Sequence, residues 1–339
     1  MRGIARLAKE LGISTGTVSR ALNDRRDVSP ATRELVLATA KRLGYAPNQA
    51  ARTLALGTTR SIGFMMDLDR EAAASSEYFF MGVFDGVQTV FAEHNLDLLV
   101  LPRPTKLNAV SYLQRYVSRG VFDGMILAAT QRTDPRIEFL ESAGLPFATL
   151  GRSGSGKNYP WIDLDFEGVA EAAIDRLVAA GHRRIAVTVP ADNINFGPIF
   201  AAAYERALAR HGIGFDPQLV FARGRNEAVG YRLVDELALV PNPPTAVLLI
   251  FETVAIGMYR RMAELGQIPG RDLAIIGFRD EPTVRFLTPS LTCFATSLHE
   301  VGEDLARALL ARLPGQGAEP HDEAVRKLAP LAIRPGESG

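Results

Sequence analysis

Cysteine is all but missing from this chain: 339 residues contain one, Cys293. A single thiol excludes an internal disulfide framework and any zinc site built from clustered cysteines, and it fits a reducing cytosol. Long apolar runs are missing too. No stretch reaches the about 18 apolar residues that a membrane-spanning helix needs, so no membrane partner is expected. The first residues, MRGIARLAKELG, are short, amphipathic and broken by charge. They lack the apolar core and small-residue cleavage site of a secretory signal, and the chain is expected to stay in the cytoplasm. Five histidines, at 94, 182, 211, 299 and 321, show no metal-ligand spacing, so neither metal nor cofactor is expected. No serine or cysteine has the setting of a nucleophile. Residues 151–158 nearly match a phosphate loop, but Asn158 stands where a hydroxyl should hold magnesium, and Tyr159-Pro160 follow instead of a helix. Ile62-Gly63-Phe64 leads into acids rather than the glycines of a dinucleotide site. Enzymatic chemistry has no support in these residues.

What is present is the composition of a globular protein, 47% hydrophobic and 22% charged, on a chain too long for one small domain. The 38 basic and 38 acidic residues cancel, but not evenly along the chain. Residues 1–60 hold 11 Lys and Arg against 4 Asp and Glu, a net of +7; the remainder is net −7. A basic head on an acidic body suits nucleic-acid binding, although a solvated basic surface with no partner gives the same count.

Three short helices can be read in the head. Ile4, Leu7, Ala8 and Leu11 share one face, and Gly12 ends that helix. Ser14 is a good N-cap for a second helix over about 15–22, with Val18, Ala21 and Leu22 inward and Thr15, Gly16, Thr17, Ser19 and Arg20 outward. Ser29-Pro30 opens a third over about 31–43, with Leu35, Val36, Thr39, Ala40 and Leu43 inward. Two short helices about a glycine turn form a helix-turn-helix, and small polar residues with an arginine fit a major groove.

The string ISTGTVSRALN, then VSPATRELVLATAKRLGYAPNQAARTLALGTTRSIGF, closely resembles the lactose-repressor family of transcription regulators. It has that family's TVSR-x-x-N recognition helix, V-S-x-x-T-R third helix and G-Y-x-P-N-x-x-A-x-x-L hinge. The resemblance implies that Thr15, Gly16 and Arg20 read bases, and that Thr17, Ser19 and Asn23 touch phosphates or hold the turn. Gly16 departs from the pattern, since it has no side chain to hydrogen-bond a base. The hinge, about Asn48–Leu56 and including Ala51, is too short to be a stable helix alone. In the family it orders on DNA as a pair, one from each subunit of a homodimer, and Leu54 stands where a leucine wedge kinks the minor groove. The implied partner is a pseudo-palindromic double-stranded DNA operator.

After Thr59, short apolar strands alternate with helices in two successive sets, the second starting near Trp161. Such alternation gives parallel sheets with helices on both faces, here two Rossmann-like lobes, with a ligand in the cleft beyond the carboxyl ends of their strands. The family's body motifs recur in W-I-D-L-D-x-E-G, L-x-x-x-G-H-R-R-I-A and A-I-I-G-F-R-D. The expected fold is thus an all-α helix-turn-helix head on an α/β, two-lobed, periplasmic-binding-protein-like body. Residues 1–46 would bind DNA and 47–59 would form the hinge and linker. Residues 60–339 would bind the effector, with lobe one at about 60–160 and 290–315 and lobe two at about 161–288 and 326–335. The absence of leucine heptads after Leu313 speaks for a dimer rather than a coiled-coil tetramer.

At three cleft positions where sugar-binding members carry Arg, Asn and Asp, this chain has Phe200, Phe251 and Arg279; Arg225 falls near a fourth, and Arg152 follows the fourth strand. Asp67 follows the first strand and could reach a ligand hydroxyl; Tyr78, Phe79 and Phe80 lie at the expected cleft mouth. Three arginines suit an anionic effector, a sugar acid or sugar phosphate. If Asp165, Asp280 or Glu281 neutralises them, an ordinary neutral sugar fits instead. A periplasmic transport protein would share the body but not the head.

Overall fold

The computed structural model of the chain describes residues 3–22, 27–45, 58–68, 73–156, 158–314 and 323–339. They divide into two units, Met1–Arg60 and Ser61–Gly339.

The head is all helix: α1 (Ile4–Leu11), α2 (Thr15–Leu22) and α3 (Pro30–Arg42). Gly12 ends α1 in the left-handed conformation with φ 66°. The Ser14 hydroxyl accepts from the Thr17 amide at 3.0 Å, and the Ser29 hydroxyl accepts from that of Thr32 at 3.2 Å. Each satisfies an amide that a helix start leaves unpaired. Leu7, Ala8, Val18, Ala21, Val28, Val36 and Ala40 bury one small core among the three helices. Leu35 is 56% exposed rather than inward: the stripe of α3 runs through Val36, Thr39, Ala40 and Leu43, and Leu35 falls beside it.

The body begins with β1 (Ser61–Leu68), α4 (Ala73–Glu93), β2 (Asp97–Pro104), α5 (Ala109–Val117), β3 (Gly124–Leu127), α6 (Pro135–Ala143), β4 (Phe147–Leu150) and β5 (Trp161–Leu164). It continues with α7 (Phe166–Ala179), β6 (Ile185–Pro190), α8 (Phe196–Arg210), β7 (Val220–Arg223), α9 (Glu227–Leu239), β8 (Ala246–Leu248), α10 (Thr253–Glu264) and β9 (Ala274–Arg279). It closes with β10 (Thr292–Ala295), α11 (Leu298–Leu310), β11 (Arg326–Ala329) and β12 (Ala332–Arg334). One six-stranded sheet has the order β11-β5-β4-β3-β1-β2, the other β12-β10-β9-β8-β6-β7. All neighbours in the first are parallel; in the second only β10 and β12 are antiparallel. Central strands such as Gly124–Leu127 and Phe147–Leu150 are buried along their whole length, as expected for parallel strands covered on both faces.

The chain passes between the lobes three times, and three expected boundaries move. Trp161–Leu164 pairs with β4 in the first sheet, not in the second lobe. Thr292–Ala295 pairs with β9 and stays in the second lobe; only α11, packed on α4 and β4, returns to the first. Arg326–Ala329 pairs with β5 in the first sheet, leaving β12 alone to go back to the second. Alternation places a new set at Trp161 because no helix separates β4 from β5, yet residues 151–160 bring the chain back alongside β4 without one.

Each lobe contains a helix pair in backbone contact. A Cβ at Gly230 of α9 would lie 1.8 Å from the Val254 carbonyl oxygen, and one at Gly257 of α10 would lie 1.8 Å from that of Glu227. Gly86 and Gly302 meet in the same way between α4 and α11, at 1.9 Å from His299 O and 2.2 Å from Val83 O. A methyl group at such a point must push two helices apart, which is overpacking against main chain. Gly230→Ala is therefore expected to destabilise the body by about 3 kcal/mol. Gly214→Ala, where nothing lies within 4 Å of the new Cβ, is expected to cost less than about 0.5 kcal/mol. Urea unfolding of the two variants checks this; equal midpoints would count against the close contact.

Candidate functional site

In the head, α2 turns Thr15, Gly16 and Arg20 outward, while Thr17 and Ser19 are half-buried. The Thr17 hydroxyl lies 2.9 Å from that of Ser14, so it helps to hold the start of the helix. Arg20 Nε sits 3.2 Å from Asp27 Oδ2, both side chains being mostly exposed. An ion pair in that setting is worth little, and Arg20 can exchange it for another acceptor. Gly16 has helical backbone, and a Cβ there would meet only Ser14 Oγ at 3.6 Å and Arg20 Nη1 at 3.7 Å. The free head therefore does not require glycine at this position. Asn23, Asn48, Ala51 and Leu54 lie outside the described residues.

In the body, a cavity opens between the lobes, with about 900 Å³ of space between atoms when its mouth is included. Strand ends supply most of its wall. Ala128 to Thr130 follow β3, Arg152 follows β4, Asp163 ends β5, Arg225 follows β7, Phe251 and Glu252 follow β8, and Arg279 ends β9. Phe79 and Phe80 come from α4, Phe166 from the start of α7 and Phe196 from the start of α8. Phe166 is stacked between Phe196 (4.7 Å between centroids, 5°) and Phe278 (4.8 Å, 9°). All three rings come from α7, α8 and β9, so the column belongs to the second lobe.

Five of the seven expected cleft residues, Phe79, Arg152, Arg225, Phe251 and Arg279, meet in this cavity. Two do not. Phe200 is fully buried in the core, edge-on to Phe278; Phe196, one helical turn earlier, takes the wall position. Asp67 is held by Arg103, whose Nη2 is 2.6 Å from Oδ2 and whose Nε is 2.7 Å from Oδ1, and it lies outside the cavity. Tyr78 also stays outside it.

Each cavity arginine is already paired. Arg152 donates from Nε to Asp163 Oδ2 at 2.8 Å, and from Nη2 and Nη1 to Glu167 at 2.7 and 3.1 Å. Arg279 Nη2 donates to Glu252 Oε1 at 2.8 Å and to Glu281 Oε1 at 2.7 Å, with its guanidinium 4.6 Å from the Phe79 ring centre. Arg225 Nη2 donates to Asp192 Oδ2 at 2.6 Å and lies over Phe251 at 4.8 Å. Of the three acids considered from sequence, only Glu281 is bonded to a cavity arginine. Asp165 caps α7 by accepting from the Gly168 amide, and Asp280 pairs with Arg285 and Arg334. The remaining partners were not legible in sequence, because Asp163 lies within a strand, Glu167 within a helix, Glu252 just before one and Asp192 in the loop after β6.

Burial raises two of these carboxyls. Asp163 is pushed up to about 6 by desolvation, against the pull of Arg152. Glu281 is pushed up to about 8 by desolvation and by the charge of Glu252, against the pull of Arg279. Cys293, buried in β10, is likewise lifted by burial to about 12. Among the described residues no His, Cys, Asp and Glu cluster could hold a metal ion, and no helix is long and apolar enough to cross a membrane.

Comparison with known proteins fits both units. Residues 1–48 match the model for bacterial regulatory proteins of the lacI family, and residues 174–338 match a periplasmic binding protein-like domain. The chain is 33% identical over 336 residues to the HTH-type transcriptional regulator AglR of Rhizobium meliloti, covering 98% of this chain and 93% of that protein. It is 35% identical over 268 residues to RafR of Escherichia coli, 78% of either chain. Among solved structures, a transcriptional regulator CelR–cellobiose complex superposes with a TM-score of 0.75 at 26% identity over 100% of both chains. The lac repressor dimer bound to operator and an anti-inducer superposes with a TM-score of 0.82 at 22% identity, over 98% of this chain and 97% of that one.

Two expectations come from this geometry. Glycine inside a helix costs roughly 0.5–1 kcal/mol relative to alanine, and nothing crowds position 16. Gly16→Ala should raise the stability of the head by about that amount in thermal unfolding; a loss of stability would show that the site is tighter than described. Glu281 holds its proton up to about pH 8 when folded and releases it near the ordinary carboxylate value when unfolded. Between those two values the folded state binds the extra proton, so stability falls as pH rises. Glu281→Gln stays neutral and keeps an acceptor for Arg279. From about pH 6 to pH 8 the parent should lose about 2 kcal/mol more than the variant, roughly 4–8 °C in Tm. Parallel melting curves would contradict it.

Proposed function

The chain belongs to the lacI family of bacterial regulatory proteins, and on that footing we propose that it is a dimeric repressor whose grip on DNA is set by a neutral carbohydrate in the cleft. The family makes it a DNA-binding transcription regulator and not an enzyme. In our reading it works in the cytoplasm as a homodimer. Two α2 helices enter the major groove of a pseudo-palindromic operator, with Thr15, Gly16 and Arg20 at base edges and Thr17, Ser19 and Asn23 positioning the helix. Asn48, Ala51 and Leu54 belong to the hinge, the two leucines wedging the minor groove between half-sites.

One observation carries the choice of a neutral effector: the cavity arginines are already engaged by acids. Arg152, Arg225 and Arg279 face Asp163, Glu167, Asp192, Glu252 and Glu281. Even with Glu281 protonated, the carboxylates outnumber the guanidinium groups. A phosphate or sugar carboxylate would enter a site with surplus negative charge, and at Arg152 it would have to displace bonded acids from the whole fork. A hydroxyl-bearing ligand faces no such conflict, since carboxylates accept from hydroxyls while the phenylalanines cover the apolar face of a ring. Arg279 Nη1, buried and without a hydrogen-bond partner, adds a donor that a ligand oxygen would satisfy. This reading replaces the anionic effector expected from the arginines alone. The bound cellobiose of the CelR complex is of the same chemical class.

Control follows from linkage: an effector that favours one closure of the lobes shifts operator affinity by no more than its differential affinity for the two states. The test is operator binding by the full chain at fixed salt with two panels, neutral mono- to trisaccharides against sugar acids and sugar phosphates. At least one neutral sugar should change operator affinity by about ten-fold or more and raise Tm. Response to the anionic panel alone would overturn the neutral effector. Absence of preference for any duplex over random DNA would overturn the regulator.

A further inference from the structure

Asn195 stands immediately before α8, but its backbone is helical (φ −65°, ψ −27°) rather than the non-helical backbone from which an asparagine ordinarily caps a helix. Here its side chain makes no cap bond. Asn108, Asn226, Asp134 and Asp165, at corresponding positions, all cap their helices. The Asn195 amide turns across the cleft instead, and Nδ2 donates to the Arg152 carbonyl oxygen at 2.7 Å. The acceptor is a carbonyl, so the group facing it must be the NH₂.

That bond does not stand alone. The Asn195 main-chain N–H donates to the Thr130 carbonyl at 2.8 Å, and Ile194 forms an antiparallel bridge with Gln131. The Thr130 hydroxyl donates to the same Arg152 carbonyl at 2.9 Å. Thr130 and Arg152 follow strands of the first lobe, whereas Ile194 and Asn195 lead into a helix of the second. The contact therefore joins the lobes at the rim of the cavity, and protein groups satisfy all of it. The Arg152 side chain reaches into the cavity while its carbonyl accepts the bonds at the rim, so one residue touches both.

We infer that Asn195 is a positioning residue that latches the two lobes together at the cavity rim, so that effector entry and release wait on the opening of this contact. The part concerning effector rests on the function proposed above; the latch itself does not. While this contact holds, a ligand must wait for the open state, and its apparent association rate scales with the population of that state.

The experiment is hydrogen exchange on the full chain with no sugar present, for the parent, Asn195→Ala and Asn195→Asp. Aspartate keeps the shape, places a carboxylate at the positive end of the helix dipole, and cannot donate to a carbonyl. In a purely capping role, Asn195→Asp would leave exchange at residues 129–132 and 192–196 unchanged or slower. In a latch, both variants should exchange about five-fold faster there, the ratio supported by one net hydrogen bond. Unchanged exchange in both variants would overturn the latch. If alanine impairs folding, the aspartate variant decides alone. Operator binding by the same preparations reports separately on the regulator, so either proposal can fail without the other.

Discussion

Guanidinium groups placed beside a column of phenylalanine rings need an acid within hydrogen-bonding reach, because an unpaired buried charge costs several kcal/mol. This requirement organises the body. Arg152 draws Asp163 and Glu167 to the floor of the cleft, Arg279 draws Glu252 and Glu281, and Arg225 draws Asp192. These acids come from the end of one strand, the first turn of a helix and the loops after other strands. The pairs therefore fix the ends of several elements relative to one another. They also weigh on the proposed effector, since an arginine engaged by neighbouring acids is a weaker anion receptor than its bare charge implies. Positive charge in a pocket is a poor guide to ligand charge until the counterions have been counted.

The same logic of paired demands accounts for how much could be read in advance. The head was legible nearly whole, because its signals are local: Ser14 and Ser29 start helices, Gly12 ends one, and apolar residues recur at helical spacing. The strands of the body were legible as short apolar runs, and most cavity residues could be anticipated because they follow strand ends. What failed was long-range. Nothing near Trp161 shows that it pairs backward with β4 and onward with Arg326–Ala329. Asp67 has the look of a ligand contact until Arg103, 36 residues later, claims both its oxygens. Phe200 and Phe196 differ by one turn of helix, and sequence alone gives no means to choose which turn faces the cleft.

Asn195 illustrates the converse. Its residue type and its place before α8 suggest an ordinary cap, but its backbone is already helical. Only the crossing of the two lobes brings the Arg152 carbonyl within 2.7 Å and gives the side chain a better use. Local propensity is a weak prior wherever two lobes meet, and a residue that declines its local bond marks a place where the tertiary structure makes the stronger offer.

The solitary sulfhydryl has a practical corollary. Cys293 is shielded within a sheet, and its thiolate is suppressed by burial, so it is a poor nucleophile toward maleimides or iodoacetamides. A cysteine introduced on either rim of the cleft would then be the one sulfur in the polypeptide that reacts readily. Fluorophore pairs could be installed without first stripping native sulfur, and the breathing of the two halves could be watched in otherwise unaltered protein.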